Sequence, residues 1–526
     1  MGSRLSSSTP RADAAARSRP VKRAAPAHRE RPVQERDRKG REIRIIDTTL
    51  RDAHQCLWAT RMTTAHMLPV AERMDRCGFA QIDLAGAIQF DVCVRYLRED
   101  PWLRVRLMRE RCQQTPLRAL IRSRNIMSFD LVPDDIIELW VERLVANGFR
   151  VVGAFDGLND VDNMLASIRV AKRLGVRVFG ALAYSLSPVH TDELYVKTAQ
   201  DLIERGRVDA IMIKDAGGLL TPERIRTLVP ALRAVAGDTP LELHSHCLTG
   251  LAPLVYLEGA DLGVDEIHSS IAPLANGAAQ PATQSMARAL RHRGYRIAVD
   301  DALIDEVGEH FRRIAEREGK PLGAPLEYDP FHYEHQIPGG MLSNFRSQLE
   351  HAGILHKFDE LLEECARVRR ELGWPIMITP FAQLVGTQAV LNVVRGQRYE
   401  IVPDEVKKYA LGYYGKLLAP VEPQVLDRIV ENGSKRIALE PSLPPPGVAE
   451  LRRKYPNAGD DERLLRFMFA GPQVDEMIAQ VPASLPLAAR NPIVHLVQEL
   501  TRRPKVGRIY ISKGDLKLEL VRDGAP

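Results

Sequence analysis

In the run Leu241-Glu-Leu-His-Ser-His-Cys247, two histidines stand at i and i+2 of an apolar, extended stretch. Strand side chains alternate faces, so His244 and His246 project from one side and both imidazoles can reach one ion. Imidazole suits zinc, manganese or cobalt, but two ligands do not hold a metal, and further donors must come from elsewhere in the chain. On its own the pair is also what two partly buried or surface histidines look like.

Other polar residues interrupt apolar runs in the same manner. Asp47, Arg51 and Asp52 follow the run 43–46, Asp83 falls within 80–84 and Asp91 beyond it, Arg122 follows 117–121, and Asp156 follows 150–155. Lys214 and Asp215 follow 210–213. Asp52 is a better carboxylate ligand than Asp47, because it lies beyond the strand where a loop can turn inward. A protonated Lys214 has no lone pair to give. It becomes a metal ligand only when neutral or carbamylated, and its plain reading is an ion pair with Asp215 or another neighbouring acid.

What would position these groups is a repeat of strand and helix. Candidate strands at 43–46, 80–84, 117–121, 150–155, 176–182, 210–213, 241–246 and 266–269 alternate with helical patterns such as 92–111, 134–147, 161–174, 192–204, 222–235 and 281–291. Eight such units in about 250 residues predict an α/β chain with a (β/α)8 TIM barrel, whose active site lies at the carboxyl ends of the strands. Closing the barrel brings the first and seventh strands close enough for an Asp/His/His set. An open doubly wound sheet would often carry a Gly-rich phosphate turn, and neither GxGxxG nor a Walker pattern occurs.

The 526 residues allow two or three domains, and the 45% hydrophobic content is that of a soluble globular protein. No apolar run approaches the ~20 residues of a membrane span. Of the net charge of +5, the excess sits in residues 1–41, which hold twelve Lys/Arg against four Asp/Glu. The rest is near neutral, which argues against a nucleic-acid partner. Residues 1–41 are expected to form a disordered basic tail. The alternative is an organellar transit segment, since Asp13 is the one acid in the first 29 residues. Cys56, Cys77, Cys93, Cys112, Cys247 and Cys365 show no CxxC spacing and point to reduced thiols in a cytoplasmic protein.

The stretch Asp47-Thr-Thr-Leu-Arg-Asp-Ala-His-Gln55, with Ala59-Thr-Arg61, resembles the opening motif of the biotin-dependent carboxyltransferases that act on 2-oxo acids. That family includes the carboxyltransferase domain of pyruvate carboxylase, its counterpart in the two-subunit pyruvate carboxylases, the oxaloacetate decarboxylase α subunit and the transcarboxylase large subunit. Further segments match in order: Phe90-Asp91, Arg95-Tyr-Leu-Arg-Glu-Asp-Pro-Trp102, Phe155-Asp-Gly-Leu-Asn159 and Ser187-Pro-Val-His-Thr191. Ile213-Lys-Asp215, His244-Ser-His246, Gln280-Pro-Ala-Thr283, Ile337-Pro-Gly-Gly-Met-Leu-Ser-Asn344 and Val385-Gly-Thr-Gln-Ala-Val-Leu-Asn392 continue the series. The likeness runs from about residue 43 to 430.

This resemblance implies that Asp52, a carbamylated Lys214, His244 and His246 hold a divalent metal, zinc first and manganese or cobalt otherwise. It implies that Arg51, Gln55 and Arg122 hold the 2-oxo acid, that Asp91 is a site residue, and that the Ser343 hydroxyl shuttles a proton between substrate and biotin. The reaction would move CO2 between carboxybiotin and pyruvate or oxaloacetate through an enolate. Implied partners are a biotin carboxyl carrier protein and a biotin carboxylase subunit, with a homodimer or higher oligomer as the assembly. No Ala-Met-Lys-Met biotin-acceptor wording occurs in the sequence, so biotin is expected on a separate carrier.

The chain departs from the family wording at the barrel mouth. Trp-Gly-Gly-Ala-Thr-Phe-Asp becomes Ala85-Gly-Ala-Ile-Gln-Phe-Asp91, Gly-x-Asn becomes Ser123-Arg-Asn125, a tyrosine is Phe129 and an arginine is Gly153. Lys-Asp-Met-Ala-Gly becomes Lys214-Asp-Ala-Gly-Gly218. A reshaped pocket for a 2-oxo acid other than pyruvate is expected. The competing readings are a Claisen-type lyase or synthase of a related metal-dependent barrel, which has no lysine ligand, and a catalytically altered scaffold subunit of a carboxylase complex.

The expected organisation is a barrel over 42–295, a mainly helical region over 296–480 that completes the site, a linker at 481–492 and a small segment at 493–526. That last segment, Ile493-Val-His-Leu-Val-Gln-Glu-Leu500 and then Ile509 to Leu520, resembles the leader before a biotinyl domain. A small hairpin is its other reading.

Overall fold

Eight short strands pair in parallel, each with the next, and the last returns to the first: β1 (Arg44–Asp47), β2 (Gln81–Gly86), β3 (Leu117–Arg122), β4 (Val151–Phe155), β5 (Arg177–Ala183), β6 (Ala210–Asp215), β7 (Leu241–Ser245) and β8 (Glu266–Ser269). Closure runs from Arg44 opposite Glu266 to Asp47 opposite Ser269. The computed structural model describes residues 40–128, 130–337, 345, 349–350, 353–480, 500, 508–513 and 516–521. Each expected strand lies within two residues of an observed one. The (β/α)8 barrel is therefore the fold, and the reason it is legible is burial: β3 and β6 are buried at all six of their positions, so they read as apolar runs bounded by polar ends.

One helical pattern is divided. The span expected as a helix over 92–111 is a short helix (Ala87–Val92), a π-helical turn (Cys93–Leu97) and a second helix (Pro101–Arg111). Pro101 cannot donate to a preceding turn, and the Asp100 carboxylate accepts from Trp102 N at 2.9 Å to start the chain afresh.

Inward-facing side chains fill the barrel in layers. Leu120, Val151, Phe179, Ala181, Ala210 and Met212 form one such cluster, and the Arg118 guanidinium lies 3.6 Å from the centre of the Phe179 ring. A Cβ on Gly153 would fall 1.8 Å from that ring. The missing side chain on β4 is thus what admits Phe179 across the barrel. Gly153→Ala is expected to lower stability by about 1–3 kcal/mol through overpacking, read as a drop in Tm; an unchanged Tm would mean that the ring swings aside freely.

The region expected as mainly helical over 296–480 packs in three parts. Helix Asp301–Glu318 joins the barrel core through Ile304, Val307 and Phe311. Residues between Ile337 and Ile429 build a second core around Leu361, Val385, Tyr399 and Val406. Beyond the Pro441-Ser-Leu-Pro-Pro-Pro446 break, helices Val448–Lys454, Asp460–Met468 and Gly471–Gln480 return to the barrel, burying Leu451, Leu464 and Met477. Asp461 pins them there, accepting from Arg143 Nε at 2.6 Å and Asn147 Nδ2 at 3.0 Å. Arg508–Lys513 and Leu516–Val521 form an antiparallel hairpin. The expected linker at 481–492 lies outside the described residues. Among those described, no helix is long and apolar enough to cross a membrane.

Candidate active site

The chain leaves β1 in a single π-helical turn, Thr49–Ala53, in which Thr48 O accepts from the amides of Arg51, Asp52 and Ala53. That turn delivers Arg51 and Asp52 into the barrel mouth. Asp47 is spent differently: it accepts from Thr49 N at 3.1 Å and Thr49 Oγ1 at 2.6 Å, and burial lifts its pKa to about 7. Asp47 anchors the turn, while Asp52 faces the site.

From β7, the His244 and His246 Nε2 atoms reach Asp52 Oδ2 at 3.0 and 3.1 Å and lie 3.2 Å from each other. Three donor atoms this close match tetrahedral zinc, for which bonds of about 2.0–2.1 Å place ligand atoms about 3.3 Å apart. His246 Nδ1 donates to Ala278 O at 2.6 Å, which turns Nε2 toward the site. The donor set fits a divalent cation. Gln280 closes it from behind, its Nε2 donating to Asp52 Oδ2 at 2.9 Å.

Lys214, opposite His244 in the β6–β7 register, is buried. It does not pair with Asp215, whose carboxylate accepts from Leu219 N, Leu220 N and Ser245 Oγ at 2.7–2.9 Å. The expected alternative of an Asp215 ion pair is therefore wrong, because the turn after β6 claims that carboxylate. Burial pushes Lys214 down to about 8, so a share of it is neutral amine near physiological pH.

Burial alone would raise the Asp52 carboxyl, but the charges of Arg51 and His246 hold it well below the usual carboxylate range. Burial would likewise lower His246, yet the Asp52 carboxylate outweighs it and lifts the imidazole to about 10. A cation entering this site must displace that proton. Zinc affinity is therefore expected to rise with pH, by up to about tenfold per unit while His246 stays protonated. Calorimetric titration at about pH 6.5 and 8.5 reads the change; an affinity independent of pH would contradict it.

Arg51, Asp52, Gln55, Asp91, Arg122, Lys214 and His246 all line one cavity of about 320 Å³. Arg51 is locked by Asp83, with Nε at 2.8 Å and Nη2 at 2.7 Å, and its Nη1 lies 2.9 Å from Asp52 Oδ1. Arg122 donates to Ser128 O at 2.6 Å, and burial lowers it to about 10. Asp91 pairs with Arg95 at 2.7 Å. Ser343 and Phe129 lie outside the described residues. Met377, Ile378, Thr379 and Gln383 of the post-barrel region line the same cavity.

Several residues at the site carried no separate signal in the sequence. Gln280 stood in a matched motif without a role. Gln89, one of the departures, donates to Arg51 O at 3.0 Å and to Gln55 Oε1 at 3.2 Å, so the larger side chain fixes Gln55. Cys56, one of six scattered cysteines, has its Sγ 3.8 Å from His246 Nδ1 and 4.0 Å from Asp52 Oδ1.

Residues 333–478 match the family model described as a conserved carboxylase domain. A pyruvate carboxylase subunit of Methanocaldococcus jannaschii is 44% identical over 420 residues, covering 79% of this chain and 74% of that protein. The 2-oxoglutarate carboxylase large subunit of Hydrogenobacter thermophilus is 36% identical over 75% of this chain and 61% of that protein. In fold, the carboxyl transferase domain of Rhizobium etli pyruvate carboxylase, solved with oxamate and biotin, superposes with a TM-score of 0.77 at 23% identity, over 93% of this chain and 85% of that one. The chain is an enzyme that belongs to the biotin-dependent carboxyltransferase family.

Proposed function

We propose that this enzyme moves CO2 between carboxybiotin and a 2-oxo acid such as pyruvate, or in reverse from oxaloacetate. The observation that carries this reading is that Asp52 and His246 line one cavity with Arg51, Arg122 and Lys214, while the buried His244 reaches Asp52 from behind at 3.0 Å. Asp52, His244, His246 and a carbamylated Lys214 hold a divalent cation, with zinc the best fit to the nitrogen-rich set and manganese or cobalt next. When bound, such a cation would supply Lewis acidity against negative charge developing on the 2-oxo acid. The Lys214 amine adds CO2 to form an N–C bond and release one proton, which replaces an ammonium that would repel the metal with carboxylate oxygens.

The remaining residues orient and shield. The guanidinium forks of Arg51 and Arg122 suit the substrate carboxylate, and Gln55, held by Gln89, donates beside them. Asp91, paired with Arg95 and lining the same cavity, offers a carboxylate that accepts from a ureido N–H or balances Arg122. Ser343 moves a proton between the substrate carbon and the biotin ureido nitrogen. Phe155, Met377 and Ile378 keep water from the enolate. Biotin arrives on a carrier protein and supplies the CO2, and a biotin carboxylase subunit reloads it; the "subunit" names of the relatives support this division.

Of the departures from the family wording, Ala87 and Ile88 line this cavity and Gln89 holds Gln55 at its wall. They favour an acceptor other than pyruvate. Zinc-loaded enzyme with free biotin is to be assayed against oxaloacetate and a panel of 2-oxo acids that includes 2-oxoglutarate. CO2 transfer with one of them is expected. Pyruvate released from oxaloacetate at an ordinary family rate would sink the altered-acceptor reading, and no transfer with any of them would sink the function.

A further inference from the structure

His268 and Glu242 are fully buried inside the barrel, on β8 and β7, and the carboxyl-transfer reading gives them nothing to do. They form a chain that ends at the candidate metal. Glu242 Oε2 accepts from Arg118 Nη1 and Nη2, each at 2.9 Å, and lies 3.1 Å from His268 Nε2. His268 Nδ1 is 3.2 Å from His244 Nδ1. The His244 Nε2 on the far side of that ring faces Asp52 Oδ2 at 3.0 Å.

Each hydrogen in this chain is dictated by the one before it. The Glu242 carboxylate only accepts, so His268 Nε2 must carry the proton. A neutral imidazole has one N–H, which leaves His268 Nδ1 bare; it accepts from His244 Nδ1–H. His244 is then left with its lone pair on Nε2, 3.0 Å from Asp52 Oδ2, a meeting of two acceptors that a divalent cation between them satisfies. Reversing the His268 ring would set its bare Nε2 against the Glu242 carboxylate at 3.1 Å, and reversing His244 alone would leave two bare nitrogens face to face at 3.2 Å.

We propose that Glu242 and His268 are positioning residues that set the tautomer and orientation of His244, so that its Nε2 is presented to a divalent cation. The chain works as a carboxylate–histidine–histidine relay, and it hands part of the Glu242 charge to the ligand. Arg118 completes it from below. Its guanidinium also donates to Gln81 Oε1 at 3.0 Å and stacks on Phe179, the ring that Gly153 makes room for. The glycine on β4 and the tautomer of His244 are thereby parts of one packing arrangement.

This inference rests on His244 being a metal ligand, and the test separates the two claims. Zinc affinity of the full chain is measured by competition with a chelator, alongside the Tm of the metal-free protein. His268→Leu removes the acceptor and is expected to weaken zinc binding about 10–100-fold. In His268→Asn the amide oxygen can stand where Nδ1 stood and accept from His244, which restores the tautomer but not the tie to Glu242, so affinity is expected between those of the parent and the leucine variant. Glu242→Gln has almost the same shape but offers His268 an N–H as well as an oxygen, and a loss of severalfold is expected even if the leucine variant fails to fold. Zinc affinity equal to the parent's in His268→Leu or Glu242→Gln would overturn the relay alone, as would an asparagine variant as weak as the leucine one. A parent protein that binds no zinc would overturn the ligand set and the relay with it.

Discussion

Asp52→Asn is expected to cost the enzyme its metal and, with it, on the order of 10³-fold in the rate of CO2 transfer. The carboxylate stands at the centre of the site, 2.9 Å from Arg51 Nη1, 3.0 and 3.1 Å from the two imidazoles and 2.9 Å from the Gln280 amide. An asparagine keeps the shape but offers a neutral oxygen, so the set loses its fixed negative charge. Arg51 retains its paired contacts to Asp83, which is why the barrel should fold normally. Metal content and initial rates on the same preparation settle it. A variant that holds zinc stoichiometrically and keeps more than about a tenth of the rate would remove Asp52 from the ligand set.

Lys214→Arg is the second large effect, about 10²–10³-fold in rate with the positive charge retained. A guanidinium cannot form the carbamate, and a permanent cation beside the donor set opposes metal binding. If an ammonium were the working form, arginine would keep much of the activity; the carbamate reading requires that it does not. In Lys214→Ala, the buried space left behind is expected to admit formate or acetate and recover part of the rate in proportion to the added acid. Full activity of the arginine variant, or no response of the alanine variant to a small carboxylate together with unchanged metal binding, would sink the carbamate.

Much of the barrel was legible because its strands are buried on both faces. Runs such as 117–121 and 210–213 could be placed from apolar content and bounding charges, and the polar residue at each boundary then fell at the carboxyl end, where barrel sites lie. Asp52, His244, His246 and Lys214 were all legible as candidates, since each breaks an apolar run or continues one in strand phase. The break at Pro101 was less visible, because the helix that follows it, Pro101–Arg111, carries no clear apolar stripe of its own to mark a new start. The division of 296–480 between two cores was not visible either: helix Asp460–Met468 has the same amphipathic pattern whether its apolar face meets the barrel or the second core.

By itself, the sequence determined the number and order of the strands, the parity that turns His244 and His246 to one side, and the identity of the groups able to do the chemistry. Those are local properties, carried by periodicity and residue type. Only the tertiary structure decided that Asp47 spends its carboxylate on Thr49 while Asp52 meets the imidazoles, that Asp215 is taken by the turn after β6 and leaves Lys214 to the cavity, and that Phe179 occupies the space above Gly153. Each of these is a contest between nearby groups for one partner or one volume. It is settled by which atoms come within hydrogen-bonding or van der Waals reach once the chain has folded, and residue type and spacing alone do not record the outcome.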